Sequence, residues 1–297
     1  MTAPPGLHTS GIVDAHVHVF PPHFVSTRDD LIARDRWFEL LYTNPKSLLA
    51  TAESLIEAMD VAGVSRAVLC GFPWSDAGLC REHNAYMFDA VERFSDRLTW
   101  LGIVIPADPA ALADAEWCFE RGAAGMGELN ADAQGFDWRE VQSLEGIALF
   151  CVDRNMPILL HASEAVGHAY SGKGTATPER LLPFIERFQG LRVVAAHWGG
   201  GLPFFELMPE VAAVTGNVVY DCAASTYLYR PQVFRSVLDI VGPDRVLFGS
   251  DYPVLRMNRF LDRVRGLEWR DASERDAVLS TNARRVFGLD RLFGDVT

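Results

Sequence analysis

Eight short apolar runs alternate with longer amphipathic stretches along this chain, and that alternation is its strongest constraint on fold. The strand candidates are Ile12–Val19, Arg66–Cys70, Trp100–Ile105, Gly125–Leu129, Pro157–His161, Arg192–His197, Val218–Cys222 and Arg245–Ser250. Helical patterns fill the gaps at Ser47–Ala62, Glu82–Phe94, Ala110–Arg121, Glu140–Asn155, Pro178–Phe188 and Gln232–Val241. A last helix is expected over Glu274–Phe287, with Ser273 as its N-cap and Gly288 as its stop. Strand followed by helix, repeated, implies parallel βαβ units. Eight such units in 297 residues match a closed (β/α)8 TIM barrel, expected as one domain over residues 1–297. The rival is an open doubly wound sheet, which would carry a glycine-rich dinucleotide loop after its first strand. None follows Val19.

One connection is unusually long. Residues 20–46 carry Pro21, Pro22, His23, Trp37, Phe38 and Tyr42 before the next helix. In a barrel this segment leaves the C-terminal end of strand one, which is the catalytic face. A lid-like or binding loop is expected there, with a surface elaboration or oligomer contact as the alternative.

Charge and cysteine usage narrow the partners. A formal net charge of −12 argues against binding a phosphate backbone, so no nucleic-acid partner is expected. No apolar run approaches the roughly 18–20 residues that span a bilayer, so no membrane partner is expected either. The segment Met1 to Gly6 lacks the basic and apolar regions of a secretory signal. Five scattered cysteines, an odd number without a close pair, fit reduced thiols in a cytoplasmic protein. The partner implied is a small-molecule substrate, and the long first loop suggests association as a homodimer.

The chemistry begins at Asp14-Ala15-His16-Val17-His18. Residues two apart in a strand share a face, so His16 and His18 project together and can grip one ion. Imidazole suits zinc, iron, nickel or copper better than magnesium or calcium. Four more ligand candidates sit at predicted strand ends: Glu128, His161, His197 and Asp251. Parallel barrel strands bring those ends to one rim. Burying such a set without a cation would leave charged acceptors desolvated, at several kcal/mol per ion. The expected metal ligands are therefore His16, His18, Glu128, His161, His197 and Asp251.

Substrate contacts are expected from rim loops: His168, Tyr170 and Lys173 after strand five, and Tyr227, Tyr229 and Arg230 after strand seven. Arg256 beyond strand eight is a candidate partner for a carboxylate. Trp198 is expected to pack beside the metal and face substrate. Gly199 to Gly201 either leave room for ligand or let the next helix start close to the sheet. His8, His23 and His83 read as structural or surface residues, with His23 the exception if the lid closes.

These motifs resemble the amidohydrolase superfamily, in the amidohydrolase-related branch that includes aminocarboxymuconate-semialdehyde decarboxylase-like enzymes. The resemblance rests on Asp14-Ala15-His16-Val17-His18, His161, Ala196-His197-Trp198-Gly199-Gly200 and Gly249-Ser250-Asp251-Tyr252-Pro253, and on the closing run Asn282 to Gly288. It runs from strand one to the last helix. Decarboxylases of the branch, the resemblance implies, hold one metal and use the strand-six histidine as a catalytic group. Glu128 departs from that pattern and is similar to the bridging strand-four glutamate of TatD-like hydrolases; the alternative is a hydrogen-bond acceptor for a ligand histidine. With Glu128 bridging, His16, His18 and Asp251 would hold one ion, and His161 and His197 the other. The implied cofactor is divalent metal, two per chain, with zinc the default and iron or manganese open. The implied activity is hydrolysis of an amide, lactone, ester or thioester by a metal-activated hydroxide, with Asp251 shuttling the proton. The alternative is a mononuclear decarboxylase of an unsaturated or aromatic acid, with His197 as the catalytic proton donor.

Overall fold

A computed structural model describes residues 11–290. The expectations for His8 and for the Met1 to Gly6 segment lie outside the described residues. The strands are β1 Ile12–Val17, β2 Val64–Leu69, β3 Leu98–Trp100, β4 Met126–Leu129, β5 Ile158–Leu160, β6 Val193–Ala195, β7 Val218–Asp221 and β8 Val246–Leu247. All pair in parallel, in the orders β1-β2-β3 and β4-β5-β6-β7-β8. Bridges from Gly102 to Met126 and from Val17 to Tyr252 join the two ladders into a ring. The Ala15 amide donates to the Phe248 carbonyl at 2.8 Å, and the Asp251 amide to the His16 carbonyl at 2.9 Å, completing closure between β8 and β1. The fold is a closed (β/α)8 barrel.

Alternation along the strands sorts the core into two shells. Val13, Ala15, Val68, Leu101, Leu159, Val194, Val219 and Leu247 fill the barrel, and Ala283, Val286 and Phe287 pack against them. The neighbouring strand positions, such as Ile12, Ala67, Ile158, Val193 and Val246, face the helices in a larger outer cluster. Burial of this apolar area, about 25 cal/mol per Å2, dominates folding.

Element boundaries differ from expectation where side chains cap a helix. The helix expected from Ser47 begins at Ala52, because Thr51 and Ser54 form a reciprocal capping box. The one expected from Glu82 begins at Ala77, where the Asp76 carboxylate accepts from the Leu79 amide at 2.9 Å. Asp271, not Ser273, caps the last helical segment through the Glu274 amide at 2.9 Å. That segment widens into a π turn over Ala277–Thr281 before Gly288, at φ 64°, ends it.

The expected loop over residues 20–46 holds three short helices, Pro22–Ser26, Arg28–Arg34 and Arg36–Tyr42. Their aromatic side chains fold over the rim: Phe38 stacks on Trp74 at 5.2 Å, and Phe20 packs edge-on to Tyr42 at 5.5 Å. His83 is buried in that cluster as a satisfied core residue. Its Nε2–H donates to the Val19 carbonyl at 2.7 Å, and its Nδ1 accepts from the Trp74 indole at 3.1 Å and the Phe72 amide at 3.3 Å. His23 is exposed and pairs with Glu82 at 2.6 Å. Among the described residues, no helix is long and apolar enough to cross a membrane.

Candidate metal centre

The C-terminal strand ends bring the six expected ligands together. His16 lies in β1 and His18 just beyond it, after a register shift between Asp14 and Val17. Their Nε2 atoms stand 3.1 Å apart. Each ring has its other nitrogen committed: His16 Nδ1–H donates to Asp221 Oδ2 at 2.8 Å, and His18 Nδ1–H to the Cys70 carbonyl at 3.0 Å. Both Nε2 lone pairs therefore point at the same spot. Asp251 Oδ1 lies 3.6 Å from His18 Nε2 and 3.9 Å from His16 Nε2.

Glu128, at the end of β4, stands between these residues and a second set. Its Oε2 is 3.5 Å from each of His16 Nε2 and His18 Nε2. Its Oε1 is 2.9 Å from His161 Nδ1 and 3.5 Å from His197 Nε2. Two ligand groups result, His16–His18–Asp251 and Glu128–His161–His197, each with donor atoms within 4.8 Å of one another. Donors on one ion at about 2.0–2.2 Å are separated by about 3–3.5 Å, so the spacing fits a metal. Two imidazole lone pairs facing each other repel unless a cation lies between them; the donor chemistry fits too.

His197 owes its aim to a backbone turn of unusual hand. His197, Trp198, Gly199, Gly200 and Gly201 all have positive φ, from 57° to 95°. Left-handed backbone costs roughly 1–2 kcal/mol for each residue with a Cβ, which is why three of the five are glycine. At Gly200 a Cβ would also sit 2.3 Å from the Ser163 carbonyl oxygen. The His197 amide donates to Asp221 Oδ1 at 2.9 Å, and its Nδ1–H to the Ala223 carbonyl at 3.2 Å, leaving Nε2 for the centre. The same turn carries Trp198 away from the cavity. Its indole donates to Ser225 Oγ at 2.7 Å and packs edge-on to Phe234, so the expected substrate contact by Trp198 is corrected to a packing role.

Electrostatics draw positive charge to the centre. Burial pushes the Glu128 carboxyl up, but His16 and His161 beside it hold it well below the usual range. Burial works against charge on His16, yet Cys70, Asp221 and Glu128 raise its imidazole well above the ordinary value. His197, opposed by burial, is raised to about 9 by its bond to Glu128 and by the Asp251 charge. His18 goes the other way, lowered by burial and by His16. Metal binding replaces such protons with a cation.

A cavity of about 660 Å3 opens onto the centre, with His18, Glu128, His161, His197 and Asp251 in its floor. That volume suits a small molecule. The helical insertion supplies one wall through Trp37, Leu41 and Tyr42, and Phe72 continues it. Tyr170 and Tyr227 of the expected contacts line the cavity, as does Arg256. His168 and Lys173 do not: the Lys173 ammonium donates to the Val166 and His168 carbonyls, pinning its own loop. Tyr229 and Arg230 also stand outside the lining.

The residue that sequence reasoning missed is Asp221. It ends β7, much as Glu128 stands one residue before the end of β4, and that strand-end position is the available signal. Fully buried, it contacts both His16 and the His197 backbone. Trp37, Tyr42 and Phe72 were likewise visible only as apolar residues until the insertion folded over the rim.

Solved structures share this architecture. A 5-carboxyvanillate decarboxylase from Novosphingobium aromaticivorans DSM 12444, complexed with manganese and 4-hydroxy-3-methoxy-5-nitrobenzoic acid, superposes with a TM-score of 0.78 at 19% identity, covering 94% of this chain and 96% of that one. A 2,6-dihydroxybenzoate decarboxylase from Rhizobium superposes with a TM-score of 0.74 at 19% identity, covering 95% and 100%. At such identity the likeness carries the fold. An L-fucono-1,5-lactonase from Burkholderia multivorans (strain ATCC 17616 / 249) is 28% identical over 119 residues, which are 36% of this chain and 40% of the lactonase. The match thus spans well under half of that relative. The model of the family described as Amidohydrolase matches residues 13–289, nearly the whole barrel with every candidate ligand above, and the chain belongs to the amidohydrolase family.

Proposed function

We propose that this protein is a metal-dependent hydrolase that cleaves an acyl bond (amide, lactone, ester or thioester) at a centre of two divalent ions. The observation that carries the reading is Glu128, with one carboxylate oxygen toward His16 and His18 and the other toward His161 and His197. His16, His18 and Asp251 would hold one ion, His161 and His197 the other, with Glu128 shared. When bound, such a pair supplies an acidified water, with pKa near about 7, and a Lewis acid for the scissile carbonyl. Zinc, manganese or iron suits this nitrogen and oxygen donor set.

The chain's own groups do the rest. Asp251 faces the cavity and takes the proton of the attacking water, then returns it to the leaving group. Trp37, Tyr42 and Phe72 form an apolar wall that excludes water and favours a flat substrate body. Arg256 and Lys46 are the two non-histidine cations of the lining, and neither forms an ion pair among the described residues. They are placed to hold an anionic group of the substrate. Five buried, unpaired cysteines suit a reducing cytoplasm.

A second reading has its own support, and the comparisons favour it over the first. Two of the solved structures above are decarboxylases of aromatic acids, and the aromatic wall suits such a ring. In that case the bond from ring carbon to carboxylate breaks, carbon dioxide leaves, and His197 delivers a proton from Nε2 to the carbon. Turnover in 18O-labelled water separates the two. Hydrolysis places label in the acid product; carbon dioxide release without label in the remaining product overturns it.

A further inference from the structure

Asp221 is a single buried carboxylate with no oxygen to spare. Oδ2 accepts from His16 Nδ1 at 2.8 Å; Oδ1 accepts from the amides of His197 at 2.9 Å and Ala223 at 3.0 Å. The two contacts reach both ligand sets, through different mechanisms. At His16 the bond selects a tautomer: with the proton on Nδ1, Nε2 keeps its lone pair for the centre. At His197 the bond acts on backbone, holding the first residue of the left-handed turn, where φ is 57° and ψ is 45°. It also fixes Ala223, whose carbonyl receives the His197 Nδ1 proton at 3.2 Å and so orients that ring as well.

We propose that Asp221 is a positioning residue for both ligand sets, setting the His16 tautomer with one oxygen and the His197 turn with the other. It touches neither substrate nor ion and acts only through the two histidines. This rests on the metal-dependent reading but not on the reaction class.

The two functions separate by substitution. In Asp221→Asn the amide oxygen can still accept from the two backbone amides, while the NH2 turns toward His16. Donating to Nδ1, it forces the ring proton onto Nε2, where it blocks ligation. In Asp221→Ala both contacts vanish. Zinc affinity, measured by chelator competition on the purified protein, should fall about 10–100-fold for one ion only in Asp221→Asn. In Asp221→Ala it should fall for both. On zinc-loaded wild type, long-range 1H–15N correlation should show the His16 proton on Nδ1 and no proton on Nε2. Wild-type affinities in Asp221→Asn, an equal loss at both positions in that variant, or an Nε2 proton on His16 in wild type would each overturn the proposal. The wild-type spectrum decides even if a variant fails to fold: the His16 Nδ1 proton should lie far downfield, held by the carboxylate, and one exchanging freely with water would overturn the proposal. A wild type holding only one zinc would refute the two-ion reading, and the shift of that Nδ1 proton would still decide whether Asp221 holds His16.

Discussion

Two kinds of histidine, one beneath the helical insertion and one at the barrel rim, meet opposite fates in this molecule. His83 lies beneath the helical insertion with both ring nitrogens satisfied by the Val19 carbonyl, the Trp74 indole and the Phe72 amide. At the rim His16, His18 and His197 satisfy Nδ1 and turn Nε2 toward the centre, where those of His16 and His18 face each other at 3.1 Å. The difference teaches that burial alone does not mark a ligand. What marks it is a lone pair left facing another donor.

Four experiments test whether the two kinds of histidine differ in this way. The largest effect belongs to Asp251→Asn, which should lower kcat by about 10²–10⁴-fold while the fold and at least one ion persist. Near-normal turnover would remove Asp251 from proton transfer. Next comes metal removal. Chelation should cost stability by at least about 2.7 kcal/mol if the ion is present at 100 times its dissociation constant. Hydrogen exchange should quicken at the backbone of the rim histidines and stay unchanged around Phe72 and Trp74; a uniform change would dissolve the distinction.

A pH test sharpens the other side. Burial brings the His83 imidazole down to about 4, whereas an unfolded histidine titrates near about 6.5. Between those values the unfolded chain binds the extra proton, so His83 contributes stability above about 6.5 that is lost as pH falls toward 4. The loss is on the order of 2–3 kcal/mol, and urea titrations of wild type against His83→Gln at both pH values should show it only in wild type. Equal slopes would mean that His83 is not held neutral. The smallest effect is at the mouth of the cavity. Arg256→Gln should raise KM about tenfold for an anionic substrate with kcat retained, and leave KM for its neutral analogue alone. A matching change for both would make Arg256 a wall residue only.

Much of the centre is legible in the chain because one rule places it. Polar residues at the ends of parallel strands share a rim, which is how His16, Glu128, His161, His197 and Asp251 find one another across the sequence. Asp221 obeys the same rule yet escapes notice, since a carboxylate ending β7 means little until His16, 205 residues away, is seen against it. Trp198 misleads for a different reason. Its neighbour His197 is a candidate ligand, but a left-handed turn reverses the side-chain direction that ordinary strand or helix geometry implies. The insertion reads as loop because Pro21, Pro22 and Pro45 bound it, while its short helices depend on tertiary packing and on the Asp35 carboxylate capping through the Phe38 amide at 2.8 Å.

Whether Glu128 joins two ions is read from metal stoichiometry. Elemental analysis of zinc-loaded protein should give two ions per chain in wild type and about one in Glu128→Gln, whose amide nitrogen cannot serve as the second donor. A firm single ion in both proteins would contradict it.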